Sequence, residues 1–524
     1  MQINDPLEAS PAPTEPEREY IVSLKKDVNH DEFWNDMESN TQNLSTIPDR
    51  IVDIVNNRPG SIRSCHYALT DQEALILKND PRVAAIAVPA PPDLKAHGAI
   101  QYGNFTRGTA IISQDQVNWG LRRSSVESIV QQSLGSNYDY CIDGTGVDIV
   151  IHDNGVQSGH PEWLDNNGET RFIEHDWYAV SGLPGAMMTG HYGDVGNHGS
   201  HVAGIAAGKL YGWAKGAKIY SARYDYLDAD AFDAIRMWHL KKPIDPKTGS
   251  RRPTIVNQSW GYRWYYNNNG LGGSISAINY RGINRGTTTS SNWGNVNSAH
   301  TLIYGPDDVN QEELTDAGVI VVRAAGNYYH KIDLPGGLDW DNHYTYTADF
   351  AYGIIPAGDP IYYHRGGTPW SADTIIVSNV DATSYDSSTE QLSSSSERGP
   401  GVHIAAPGTY ITSATNNSTN YSWLYYPGSS TYKIARISGT SMAAPQVTGL
   451  LALFLQVNPH ATSQQCKDWL NNVASKTNQL YSSGLDNDYS NSRSLQGGPN
   501  KFLYSPYAKN IGYDLKGSFR LWSK

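Results

Sequence analysis

Apolar and polar positions change rhythm several times along this 524-residue chain. Residues 1–18 carry acids and prolines without a periodic apolar face, which predicts a flexible tail. From Glu19 the pattern becomes regular. Tyr20–Leu24 reads as a strand and Asp31–Met37 as an amphipathic helix. Ile51–Val55 and Ile62–Leu69 read as two further strands, separated by the turn Arg58-Pro59-Gly60-Ser61. Thr70 with Glu73 three residues on is a capping-box signature, predicting a helix through Lys78. Asn79-Asp80-Pro81 ends it, and Val83–Val88 supplies a fourth strand. The order β-α-β-β-α-β in about 70 residues is the ferredoxin-like split pattern, so residues 19–88 predict a small α+β domain.

Residues 89–118, rich in proline and glycine, read as a linker. From about Trp119 short apolar runs recur at 147–151, 219–222, 254–256, 319–322 and 374–377, most of them β-branched. Helical patterns lie between several of them, at 200–208 and 231–240. Strands alternating with helices predict an α/β domain over 119–477, a mostly parallel sheet covered by helices on both faces. Two stretches, 262–310 and 328–366, break the rhythm. Their Tyr, Asn, Gly and Trp residues read as long surface insertions. The polar residues 478–524 read as an irregular C-terminal extension.

Composition narrows the classes. The 52 acidic against 40 basic residues give a net charge of -12, which argues against broad nucleic-acid binding. The N-terminus has no basic region followed by an apolar one, so it is not a Sec-type signal. The longest mostly apolar run is about eleven residues, too short to span a membrane. The expected location is therefore intracellular, or outside by a route other than Sec. Cys65, Cys141 and Cys466 are far apart and without metal-finger spacing, and read as buried free thiols.

Candidate chemistry begins at Gly439-Thr440-Ser441-Met442-Ala443-Ala444-Pro445, just before an apolar helical run at 447–457. A serine at a helix N-terminus has anion-stabilising N–H groups beside it, and becomes a nucleophile when a base lies close. Two other stretches supply partners. In 147–153 an apolar strand ends at Asp153, where ligands of open α/β sheets sit. In Asn197-His198-Gly199-Ser200-His201 a histidine opens a helix. Asp153, His198 and Ser441 are the parts needed for acyl transfer: His takes the serine proton and Asp fixes its tautomer. By strand alternation Asp148 faces away from Asp153. An α/β-hydrolase would need the order Ser…Asp…His and a G-x-S-x-G elbow, which is absent.

With these motifs in this order, the chain resembles the subtilases, the serine proteases related to subtilisin. The serine motif matches that family without a mismatch. Ser200 stands where Thr is usual, and Asn154 where Ser or Thr is common. The segment 397–408, with Arg398-Gly399-Pro400-Gly401 and Ala405-Ala406-Pro407-Gly408, is similar to the family's lead-in to its serine. The resemblance implies a subtilisin-like three-layer α/β fold and a serine endopeptidase with Asp153, His198 and Ser441 as triad. It implies that Asn327, in Val319 to Asn327, and the backbone of Ser441 form the oxyanion hole. It implies that Ser259, Trp260 and Gly261 line one wall of the primary pocket and Ala324, Ala325 and Gly326 the other. His152, His160 and His201 are then structural.

The resemblance further implies that residues 19–88 are a propeptide that inhibits the enzyme intramolecularly and is removed by self-cleavage between about Val88 and Trp119. Partners are then polypeptide substrates and the chain's own propeptide, with neither nucleic acid nor membrane. No cofactor is expected for catalysis. Structural calcium is a family property, with Asp339-Trp340-Asp341-Asn342 and Asp486-Asn487-Asp488 as candidate clusters. No acid is evident at the pocket base, which points to an apolar or aromatic residue before the cut. The alternative reading is a subtilase-fold protein that has lost catalysis and serves in structure or binding.

Overall fold

The structure, a computed structural model, describes residues 16–507 apart from 27, 39–49, 57–62, 88–97, 101–104, 106, 109–112, 114, 127–137, 225–229, 247, 262, 266–273, 295–298, 302–304, 349–356, 368, 386–388, 418–422 and 483–493. The tail 1–15, the cleavage-zone residues 88–97 and the Asp486-Asn487-Asp488 cluster thus lie outside the described residues. The chain divides into two compact units, Met1–Lys95 with Asp245–Gly249 and Gly512–Lys524, and Ala96–Ile244 with Ser250–Ile511.

In the smaller unit, strands Arg18–Leu24, Ile54–Asn56, Ser64–Leu69 and Val83–Ala87 form one antiparallel sheet in the order second, third, first, fourth. Helices His30–Glu38 and Asp71–Lys78 complete the split β-α-β topology. Thr70 Oγ1 accepts the Glu73 N–H (3.2 Å) and the Glu73 carboxylate accepts the Thr70 N–H (2.8 Å), the reciprocal capping box that fixes where the second helix starts. Alternate positions Tyr20, Val22 and Leu24 pack with Phe33, Met37, Tyr67, Leu69 and Leu77. The second strand starts three residues later than its sequence pattern predicts, and Ile51 is exposed.

In the larger unit six strands run parallel in the order Ile404–Pro407, Ile375–Tyr385, Ile320–Ala324, Thr254–Gln258, Asp148–Asp153, Lys218–Arg223. Both faces of these strands are apolar because both are covered. On one face Val150, Val256 and Val321 pack under the helices Asp230–Lys241 and Gly305–Asp316 through Ala231, Ile235 and Leu314. On the other lies the helix Thr440–Val457, buried almost throughout, against Gly199–Ala207. The helix Thr440–Val457 is long and apolar enough to cross a membrane, but it is the core helix of this three-layer α/β domain.

Three features differ from the sequence reading. The extension 478–524 is not wholly irregular: Lys501–Leu503 adds a parallel strand beside Ile404–Pro407 and buries Phe502 and Leu503. The two insertions make one substructure. Ile275–Tyr280 from the first pairs with His343–Tyr346 from the second, and Ile283–Asn284 and Ile361–Tyr362 add one strand at each edge, around Ile278, Tyr344 and Tyr363. The linker is partly built in: Gly98–Ile100 pairs with Tyr138–Tyr140, and Phe105 and Arg107 are buried.

The calcium candidate at Asp339 is taken up by protein cations. Arg281 Nε lies 2.6 Å and Lys331 Nζ 2.7 Å from its carboxylate. Burial opposes the charge, but these hydrogen bonds hold the Asp339 carboxyl well below the usual range. Among the described residues no group of three or more Cys, His, Asp or Glu is arranged to hold a metal. All three cysteines are buried and unbridged.

Candidate active site

Adjacent parallel strands bring their C-terminal ends to one edge of the sheet, and the candidate residues gather there. Asp153 is the last residue of its strand and almost fully buried. Its Oδ1 accepts the Asn154 N–H at 2.8 Å and lies 2.9 Å from His198 Nδ1, with Oδ2 at 3.1 Å. Nδ1 is thereby the protonated ring nitrogen, and Nε2 is left unprotonated and able to accept a proton.

His198 sits at the N-cap of the helix Gly199–Ala207, whose first free N–H groups are met by side chains from outside the helix. Gly199 N–H donates to Asn154 Oδ1 (3.0 Å) and Ser200 N–H to Asp194 Oδ2 (3.0 Å). Ser200 Oγ accepts the Gln157 N–H (2.9 Å). Gly199 permits this docking because a Cβ there would lie 2.0 Å from the Gly155 carbonyl oxygen. Burial disfavours a charged His198, but the Asp153 carboxylate outweighs it by charge and hydrogen bond. Asp194 adds to this, and the pKa stands above the ordinary histidine value. Asp194→Asn takes away one of the two negative charges that favour protonated His198. Asp194→Asn should therefore move the acid limb of kcat/KM to lower pH, checked by a pH–rate profile.

Ser441 is the second residue of the helix Thr440–Val457. Its Oγ donates to the Ser259 carbonyl (3.1 Å), and the Ser259 hydroxyl donates back to the Ser441 carbonyl (3.0 Å). Pro445 makes that second bond available. It has no N–H, so the Ser441 carbonyl lacks its i+4 partner within the helix. The price of a proline in a helix is thus turned into a tie between the helix and the Ser259 strand end.

Asn327 follows the strand Ile320–Ala324 and is exposed. Its Oδ1 accepts both the Thr440 N–H (2.9 Å) and the Thr440 hydroxyl (3.1 Å), and Thr440 Oγ1 accepts the Gly326 N–H (3.1 Å). With the amide oxygen tied to Thr440, the nitrogen end is the one left to donate. Asn327→Leu should lower kcat about 10²–10³-fold with little change in KM, in steady-state kinetics; the magnitude is subtilisin's own.

Ser259 and Ala324 stand at the ends of neighbouring strands, paired Val256 with Val321. Ser259, Ala324 and Ala325 are buried, Trp260 and Gly326 half-buried, and Gly261 exposed. Trp260 rests edge-on against His152 at 5.1 Å between ring centroids. Burial pushes His152 and His201 down to about 3 and His160 to about 4. His160 Nε2 lies 3.0 Å from the Lys433 carbonyl, and His201 Nε2 3.1 Å from both the Ile411 and Ala435 carbonyls. Asp148 points elsewhere, to Lys242 (2.6 Å) and Arg252 (2.5 Å).

Sequence reasoning missed Asp194, Thr440 and the role of Pro445. An acid four residues before His198, and a threonine and proline flanking Ser441, were the available signals.

Three comparisons bear on this arrangement. The profile of the subtilase family matches residues 144–494. The extracellular serine proteinase of Thermus sp. (strain Rt41A) is 26% identical over 457 residues, covering 85% of this chain and 76% of its own. Subtilisin BL of Lederbergia lenta is 26% identical over 378 residues, covering 71% of this chain and 97% of its own. Among solved structures, a cold-adapted subtilisin-like serine proteinase aligns at 23% identity and a TM-score of 0.44, over 75% of this chain and 99% of its own. The family match takes in the ends of the strands and helices that carry Asp153, His198, Asn327 and Ser441, and the chain belongs to the subtilase family of serine endopeptidases.

Proposed function

We propose that the protein cleaves peptide bonds through an acyl-enzyme on Ser441, with Asp153, His198 and Ser441 as triad. The observation that carries this reading is the Asp153–His198 pair at 2.9 Å, which leaves His198 Nε2 free to act as base. Ser441 Oγ leaves its bond to the Ser259 carbonyl and attacks the substrate carbonyl carbon as its proton passes to His198 Nε2. The oxyanion is held by the Asn327 side-chain N–H and the Ser441 backbone N–H. Collapse breaks the C–N bond, and His198 gives the proton to the leaving amine. Water then enters, His198 takes its proton, and the acid is released with Ser441 regenerated.

An extended substrate segment pairs with Ser259–Gly261, which selects unfolded or loop segments of polypeptides. The pocket walls are backbone, alanine and the Trp260 ring, which suits an apolar or aromatic residue before the cut. A strict Arg or Lys preference in a peptide-library profile would count against that.

Residues 19–88 act in this reading as propeptide and intramolecular inhibitor. Self-cleavage falls between Val88 and Gly98, because the strand pairing of 98–100 and the burial of Phe105 and Arg107 hold the chain from Gly98 onward within the larger unit. Labelling of the processed protein with a fluorophosphonate tests the nucleophile: label on Ser441 is expected, and its absence favours a non-catalytic scaffold.

A further inference from the structure

A glutamate that none of these steps uses lies directly under the segment carrying Asn327. Glu397 is fully buried, and neither carboxyl oxygen has a hydrogen-bond partner. Its backbone is pinned in place. Glu397 N–H donates to the Gly326 carbonyl (2.9 Å), and its own carbonyl accepts the Ser378 hydroxyl (2.6 Å). The carboxyl fills the space where a side chain of Gly326 would be: a Cβ there would sit 2.4–2.7 Å from it. Gly326 has a φ of +124°, so glycine is required both by the backbone and by the carboxyl. Gly326 N–H in turn binds Thr440 Oγ1, which holds the Asn327 amide. The carboxyl thus underlies the chain of contacts that aims the Asn327 N–H.

We propose that Glu397 is a positioning residue of the oxyanion segment: as a neutral carboxyl it supports Gly326 and Asn327, and as a carboxylate it opposes the negative charge formed there. The inference rests on the reading of Asn327 as oxyanion donor.

The surroundings favour the neutral form. Arg323, on the strand that leads into Gly326, is the one charge that acts on Glu397 among the described residues, and burial outweighs it, pushing the carboxyl up to about 8. The strand Ile375–Tyr385 presents Ser378, and the helix Thr440–Val457 presents Thr440, both uncharged. Arg398, next in sequence, is engaged by the carbonyls of Ser393, Ser396 and Ser494 and stacks over Tyr329. Lys331 is paired with Asp339. A carboxyl without donors around it gains little from ionising until the solution is alkaline.

The test is kcat and KM of the full chain, after processing, from about pH 6 to 10 on a neutral amide substrate. Wild type should lose kcat by about tenfold as Glu397 ionises, with KM little changed. Glu397→Gln keeps the shape without the charge, so it should retain activity at pH 7 and lose the alkaline fall. Glu397→Ala should be slow at every pH, because the support under Gly326 is gone. A Gln variant with the same alkaline fall overturns the proposal, as does one whose change lies in KM for Lys or Arg substrates; the carboxyl would then read the substrate side chain. If wild type does not label at Ser441, the protease reading fails as well. If it labels and the Gln variant keeps the fall, this inference alone fails.

Discussion

Ser441→Ala should leave the chain at full length, while the wild type loses an N-terminal piece ending between Val88 and Gly98. The expectation combines two claims. On the proposed mechanism, the site without Oγ keeps its base and oxyanion donors but loses its nucleophile. Turnover should fall on the order of 10⁶-fold, the figure established for subtilisin's own serine. Self-cleavage is a single turnover at high effective concentration, yet a loss of that size puts it beyond the time of an expression experiment. The cut position is set by packing. A bond must be extended and accessible to be cleaved, and residues 98–100 are already held in a strand pair with 138–140. Phe105 and Arg107 lie in the larger unit's interior. Intact mass of the two proteins, purified side by side, reads both claims. If both are clipped alike, another protease does the processing. If both stay whole, maturation needs a further trigger or the site is inactive. A wild-type cut near Trp119 would mean that the buried linker opens before cleavage.

Much of this was legible in the sequence because short motifs carry local physics. Strand-ending Asp153, helix-opening His198 and the serine at the Thr440–Val457 helix all sit where their local elements place them. The capping box at Thr70 and the split β-α-β order are likewise local signals. What was not legible depends on distant pairing. Nothing near 275–284 announces that 343–346 will pair with it, because both stretches are aromatic and polar in similar measure. Lys501–Leu503 is three residues long, too short for a period to show, and becomes a strand because it fits between Ile404–Pro407 and Ser475–Thr477, both distant in sequence. Glu397 stood in a recognisable segment, yet its place beneath Gly326 is a tertiary fact. Asp339 looked like a calcium ligand by its neighbours in sequence, whereas its partners in space are Arg281 and Lys331.

Glu390→Leu should destabilise the larger unit by about 3–5 kcal/mol. Glu390 is completely buried between two arginines. Arg107 meets both its oxygens, at 2.8 and 2.7 Å, and Arg123 Nε lies 2.6 Å from Oε1. Arg107 also donates to the Ala382 and Asp381 carbonyls and covers the Trp119 ring, while Arg123 lies over Phe502. One carboxylate therefore ties the start of the larger unit to two strands of its sheet. Replacing it leaves two guanidinium groups in the interior without their counter-charge, and their desolvation is no longer offset. Replacing all three, as Arg107→Met with Arg123→Met and Glu390→Leu, removes that desolvation too and should cost far less. Urea unfolding in a Ser441→Ala background, where self-digestion is absent, measures both. Burial resists the charge on Glu390, but the two arginines hold its carboxyl below the ordinary range. Its contribution is therefore present above the unfolded carboxyl pKa and lost as pH falls through the lower folded value. The gap between wild type and Glu390→Leu should narrow on acidification. A single variant as stable as wild type at pH 7, or a triple variant no better than the single, would show that the arginines do not depend on this carboxylate. The segment from Gly98 onward would then be held by its strand pair with 138–140, by the Arg107 bonds to the Ala382 and Asp381 carbonyls and by packing, without help from this carboxylate.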